Sequence, residues 1–147
     1  MKKTEIHFDC LAFQLSRARN KVFNWYGRAL EPIGLTPTYV YVLGLLMERE
    51  HASPGEIAES LDLQKPTITG LLNRMIRDNL VIRKNDKSSR RSLVITLSPK
   101  GRKVGEKAYV VLRNADTALD KIFDGNLENL KEEVKSINRQ LTVAEEK

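Results

Sequence analysis

Residues 35–101 read LTPTYVYVLGLLMEREHASPGEIAESLDLQKPTITGLLNRMIRDNLVIRKNDKSSRRSLVITLSPKG. Three helix starts punctuate this stretch: Thr36-Pro37, Ser53-Pro54 and Ser98-Pro99. In each, a hydroxyl residue is placed to cap and a proline takes the first helical position, where its missing N–H costs nothing. Glu56, three residues after Ser53, completes a capping box. The first of these helices runs to about Glu50 and buries Val40, Leu43, Leu46 and Met47. The second runs from Pro54 to Leu61 and buries Ile57, Ala58 and Leu61. Asp62-Leu63-Gln64 is a tight turn, and a further helix follows from about Lys65 to Asn79. Val81–Asn85 and Leu93–Leu97 read as strands, the second with Leu93, Ile95 and Leu97 alternating against Val94 and Thr96. The hairpin between them is polar and basic, from Asp86 to Arg91. Helix, turn, helix and β-hairpin in this order predict a winged helix-turn-helix.

The helix over 65–79 has two unlike faces. At 100° per residue Ile68, Leu71, Leu72 and Met75 fall on one side. Pro66, Gly70, Asn73 and Arg77 fall opposite, flanked by Thr67 and Arg74 on one side and Thr69 on the other. Threonine hydroxyls, asparagine amides and arginine forks bond phosphates and base edges in a major groove. Gly70, in the middle of that face, has no side chain to hold a duplex away. The same glycine also fits a tolerated helix position costing about 1 kcal/mol relative to alanine. The hairpin tip offers Lys87, Arg90 and Arg91, cations suited to a minor groove or its phosphate rims.

Charge is concentrated in the same place. The 147-residue chain has 25 Lys+Arg against 19 Asp+Glu, a formal net charge of +6. Residues 83–103 alone hold Arg83, Lys84, Lys87, Arg90, Arg91, Lys100, Arg102 and Lys103 against the single acid Asp86. A confined basic stretch between near-neutral segments is what phosphate contact needs, although a charge run alone also fits a solvated loop.

The flanks are helical. Leu11, Leu15, Ala18, Val22, Trp25 and Ala29 form one seam of a helix over roughly 6–30, ended by Pro32-Ile33-Gly34. A long helix runs from Ser98-Pro99 to about Phe123, its first turns weakened by Gly101 and Gly105. Asp124-Gly125-Asn126 breaks it. The last helix carries Leu127, Leu130, Val134, Ile137 and Leu141 at steps of three and four. Both seams fit a helical dimer interface or an ordinary core face. The whole is a mainly α chain with a small β-hairpin wing.

The stretch from Leu35 to Gly101 resembles the core of the MarR family of bacterial transcriptional regulators. The matching blocks are the LT opening, EIAESLDL, PTITGLLNRMIRDNLV, and the wing with the following helix start, R-x(7)-RSLVITLSPKG. The resemblance implies a single domain over 1–147, with residues 35–101 as a DNA-binding lobe and 1–34 and 102–147 as dimerisation helices. It implies a homodimer on double-stranded DNA, commonly a repressor at a pseudo-palindromic operator. It carries DNA-contact roles onto Thr67, Thr69, Asn73, Arg90 and Arg91, and onto Ser53, Lys65 and Pro66. Two positions depart from the family pattern: Ser89 stands where an aspartate usually positions the arginine matching Arg91, and Gly70 stands where a basic residue is frequent. Base reading then shifts toward Thr67, Asn73 and Arg74.

Many family members are released from DNA by a small aromatic effector bound between the dimerisation helices and the winged lobe. Trp25, Tyr26, Tyr39 and Tyr41 fall in elements that would line such a cleft, and also suit a plain core. The opening residues from Cys10 to Thr36 are similar to organic-hydroperoxide sensors of the same family. Those place their cysteine where Leu11-Ala12-Phe13 stands here, so Cys10 lies two positions early, turned about 200° on a continuous helix. Peroxide sensing through Cys10 is therefore an alternative, as is a helical interaction module that binds no DNA. His7, Asp9 and Cys10 do not make a tetrahedral metal set, and His51 beside Glu48 and Glu50 reads as a solvated loop histidine. One cysteine excludes an intramolecular disulfide framework. No nucleophile elbow, P-loop or zinc-protease motif is present, so neither an enzyme nor a cofactor is expected. With no apolar run near the length of a span and no leader pattern, a soluble cytoplasmic protein without membrane contact is expected.

Overall fold

The computed structural model describes residues 6–88 and 92–147, in the order α1 (Ile6–Asp9), α2 (Leu11–Leu30), a 3₁₀ turn (Glu31–Ile33), α3 (Pro37–Arg49), β1 (His51–Ala52), α4 (Pro54–Ser60), α5 (Lys65–Arg77), β2 (Val81–Asn85), β3 (Leu93–Leu97), α6 (Pro99–Ile122) and α7 (Leu127–Glu145). The chain divides into two compact units, one up to Val111 and one from Leu112.

In the first unit the sequence signals for helix starts are realised atom by atom. Thr36 Oγ1 accepts from the Tyr39 N–H at 3.3 Å. Ser53 Oγ accepts from the Glu56 N–H at 3.1 Å while the Ser53 N–H donates to the Glu56 carboxylate at 2.8 Å, a full capping box worth about 1 kcal/mol. Three of the helix stops share one device. Gly34, Asp62 and Asn79 all adopt positive φ, at 71°, 51° and 60°. In each case the next N–H reaches back five residues: Leu35 to Leu30, Leu63 to Ala58 and Leu80 to Met75. These are Schellman closures, which satisfy orphan carbonyls and turn the chain sharply. Glycine, aspartate and asparagine are the residues that tolerate this left-handed backbone. The third closure ends α5 at Arg77 rather than at Asn79.

β2 and β3 form the expected antiparallel hairpin, with Val81 opposite Leu97 and Asn85 opposite Leu93. A third strand was not legible in the sequence. His51 and Ala52 pair with Thr96 and Ile95, giving the order β1-β3-β2. Two residues are too few to show a period, so only the tertiary pairing defines β1. Leu43, Leu46, Ala52, Ile57, Met75 and Ile95 are fully buried and join α3, α4, α5 and the sheet in one core.

Two expectations are corrected here. The first helix is not continuous from residue 6: Cys10 is extended (φ −65°, ψ 148°) and serves as N-cap of α2, with no side-chain cap bond. No proline or glycine marks this break. Second, Gly101 is not simply a weak point in α6. A Cβ on Gly101 would lie 1.9 Å from the Leu80 carbonyl oxygen, and one on Gly105 would lie 2.9 Å from Met47 Sδ. At 101 the obstacle is backbone, so glycine is what lets α6 approach Leu80 so closely, whereas the flexible Met47 side chain can turn aside from a Cβ at 105. Ser98 secures the approach. Its hydroxyl donates toward the Asn79 and Leu80 carbonyls, at 2.6 and 3.1 Å, and accepts from the Gly101 N–H at 2.8 Å.

The second unit is a helical hairpin of the end of α6 and α7. Ala115, Leu119 and Leu127 are buried in it. Asp120 Oδ1 accepts from the Leu127 N–H at 3.0 Å, and Lys131 Nζ meets Asp116 at 2.7 Å and Glu128 at 3.0 Å. Both bonds to Lys131 raise its pKa, that to Asp116 most. The apolar seams are only partly covered within the chain. Leu11 in α2 and Val134 and Leu141 in α7 stay exposed.

Candidate nucleic-acid interface

Helix α5 presents its two faces as the sequence predicts. Ile68, Leu71, Leu72 and Met75 are buried, whereas Lys65, Pro66, Thr67, Thr69, Gly70, Asn73, Arg74 and Arg77 are exposed. No acidic or large apolar side chain interrupts the outward set. Nothing lies within 4 Å of a Cβ built on Gly70, so no packing inside the chain demands glycine there. Thr69 Oγ1 donates to the Lys65 carbonyl at 3.0 Å, which leaves its lone pairs outward. Ser53, half-buried, has its oxygen committed to the α4 cap.

The wing is organised by an acid at its base. Asp86 accepts from the Ser88 N–H at 3.0 Å and from the Ser92 hydroxyl at 3.3 Å, and its own N–H donates to the Ser92 carbonyl at 2.8 Å. The Ser88 bonds above all hold its carboxyl below the usual range. Lys84 and Lys87 are exposed beside it. Ser89, Arg90 and Arg91, the remaining wing candidates, lie outside the described residues.

Two cations of the basic stretch are tethered rather than loose. Lys100 Nζ donates to the Asp78 carbonyl at 3.0 Å, where a cation complements the C-terminal end of α5. The Arg83 guanidinium donates to Asn73 Oδ1 at 3.1 Å, from the wing to the recognition helix. In the sequence Arg83 stands as one charge of the basic stretch and as the first residue of the wing block, with no partner assigned to it. Its alternation with buried Val81 on β2 is the signal that places it on the helix-facing side.

Of the four aromatic candidates, Tyr39 joins the α5 residues. Its hydroxyl donates to Asp78 Oδ2 at 3.2 Å. Burial raises its pKa, helped by the Asp78 charge and hydrogen bond and opposed by Arg74. Tyr39, Arg74, Thr67, Leu71 and Phe23 line a cleft of about 550 Å³. An adjoining cleft of about 600 Å³ shares Phe23 and Thr36. Trp25, Tyr26 and Tyr41 line neither; Tyr41 is 45% exposed, and desolvation of the covered part of its side chain raises its pKa against the opposing charge of Arg19. Cys10 is exposed at the α1–α2 break, so its expected displacement around a continuous helix does not apply. Among the described residues there is no metal-binding cluster, and no single helix is long and apolar enough to cross a membrane.

Comparison with known proteins bears on the same segment. The family model described as "MarR family" matches residues 33–92, from the end of the 3₁₀ turn to the residue before β3. The organic hydroperoxide resistance transcriptional regulator of Bacillus subtilis is 32% identical over 99 residues, covering 67% of each chain. The chain belongs to the MarR family. Another relative, the transcriptional activatory protein BadR of Rhodopseudomonas palustris, is 36% identical over 99 residues. That match covers 65% of this chain and spans 57% of BadR's length. Among solved structures, the transcriptional repressor CouR bound to a 23-mer DNA duplex superposes with a TM-score of 0.83 at 26% identity. The superposition covers 94% of this chain and 99% of that one. These relatives are transcriptional regulators, and the winged-helix fold is theirs.

Proposed function

We propose that this MarR-family chain is a homodimeric, sequence-specific DNA-binding repressor acting on a pseudo-palindromic operator and released by a small aromatic effector. Residues 35–101 form the DNA-binding lobe, and residues 1–34 and 102–147 supply the dimerisation helices. The observation that carries the reading is the outward face of α5, polar and basic along its length and set beside a basic wing. Lys65, Pro66, Thr67, Thr69, Gly70, Asn73, Arg74 and Arg77 face the major groove, and Lys87, Ser89, Arg90 and Arg91 meet the minor groove or its rims. Ser53 holds the start of α4 in place. The exposed apolar residues of α2 and α7 support dimerisation. The cleft beside Tyr39 and Arg74 supports an effector that touches the recognition helix directly.

Anisotropy titration against duplexes selected from a random pool tests this. Binding should weaken steeply with salt as condensed counterions are released. Arg91→Ala should weaken binding to all sequences, whereas Asn73→Ala should alter base preference. Absent or salt-insensitive binding across the pool would instead favour a helical interaction module.

A further inference from the structure

We infer that Arg83 is a positioning residue that sets which base Asn73 reads. The inference rests on the DNA-binding role proposed for α5. Arg83 follows Val81 on the helix-facing side of β2 and lies opposite Ile95; both apolar residues are buried. Beyond them the core ends, and the guanidinium meets Asn73 on the outer half of α5. A guanidinium has five N–H donors and no acceptor. Only the carbonyl end of the Asn73 amide can face it, and the 3.1 Å contact is to Oδ1. The amide is planar and its two ends leave the same carbon in different directions. With Oδ1 held toward the wing, Nδ2 is the end presented to a ligand.

An unrestrained asparagine turns either end to a base and so tolerates donors and acceptors alike. A held asparagine reads acceptors. In the major groove guanine offers O6 and N7, adenine N7 and thymine O4, whereas cytosine offers only its N4 donor. The helix therefore discriminates against cytosine at the half-site position under Asn73. The wing, by holding the amide, takes part in major-groove specificity as well as in its own contacts.

Operator selection from a random duplex pool, run in parallel with wild type and variants, tests this. Asn73→Asp keeps the oxygen that accepts from Arg83 and replaces the outward donor with an acceptor. It should convert exclusion of cytosine at one half-site position into a preference for it, a swing of roughly tenfold or more. Arg83→Met should flatten preference at that position alone, and Arg83→Lys, which restores a donor, should partly recover it. Thermal melting of Arg83→Met checks that the lobe is folded, and Asn73→Asp retains the tether and carries the test if it is not. The inference is overturned if the variants select the wild-type base at every position, or if Asn73→Asp weakens binding without changing the selected base. If wild type itself selects no sequence, the DNA-binding reading fails first.

Discussion

Gly101→Ala tests whether the wing and the recognition helix are locked together by close approach of α6. The added Cβ would sit 1.9 Å from the Leu80 carbonyl oxygen, whereas real Cβ contacts essentially never fall below 3.0 Å. Relief requires a displacement of about 1.1 Å between α6 and the start of β2. The obstacle is backbone, so no side chain can swing aside. The displacement also pulls on the Ser98 hydroxyl, which bonds Asn79, Leu80 and Gly101 together at 2.6–3.1 Å. Overpacking costs about 1–3 kcal/mol, and weakening these buried bonds about 1 kcal/mol each. Alanine returns about 1 kcal/mol through helix propensity. The net loss is about 2–4 kcal/mol, or about 5–15 °C in Tm for a chain of this length. Thermal and urea unfolding followed by circular dichroism measure it. Gly44→Ala is the control, because its Cβ meets nothing within 4 Å. It should melt at or slightly above the parent temperature. A Gly101→Ala protein melting within about 2 °C of the parent would refute the argument.

Gly70→Ala should separate stability from binding. It should raise unfolding free energy by up to about 1 kcal/mol while weakening operator affinity, because the new methyl stands on the face proposed to meet DNA; unchanged affinity would remove Gly70 from that face. Ser53→Ala breaks the capping box and should cost about 1 kcal/mol in urea unfolding. The Asp86 carboxyl has a lowered pKa in the folded state, so its contribution to the hairpin is full above the ordinary carboxylate range and is lost as pH falls through the lowered value. Hydrogen exchange at Ser88 should thus show unchanged protection from pH 7 to pH 5, and Asp86→Asn should accelerate it throughout. Leu141→Glu places a charge on the exposed seam of α7 and should yield a monomer in sedimentation velocity at micromolar concentration; a persisting dimer would place the interface elsewhere.

Local rules carried much of this molecule. A capping residue before proline marked three helix starts, alternation marked the second wing strand, and both strands were read at their true limits. The two faces of α5 followed from periodicity alone, because a 100° turn per residue needs no knowledge of partners. What spacing could not show were relations between segments distant in the chain. The pairing of His51 and Ala52 with β3 is defined only by the partner strand. The break at Cys10 leaves no mark in residue type. The need for glycine at 101 arises from a carbonyl twenty-one positions earlier. The tether from Arg83 to Asn73 turned two residues read as a charge and an amide into one unit with a fixed orientation. Sequence by itself determined which residues face outward on the recognition helix, since that is set by the helix period. Only the tertiary structure decided how those side chains are held, because hydrogen bonds between α5, the wing and α6 depend on where the packed backbones meet.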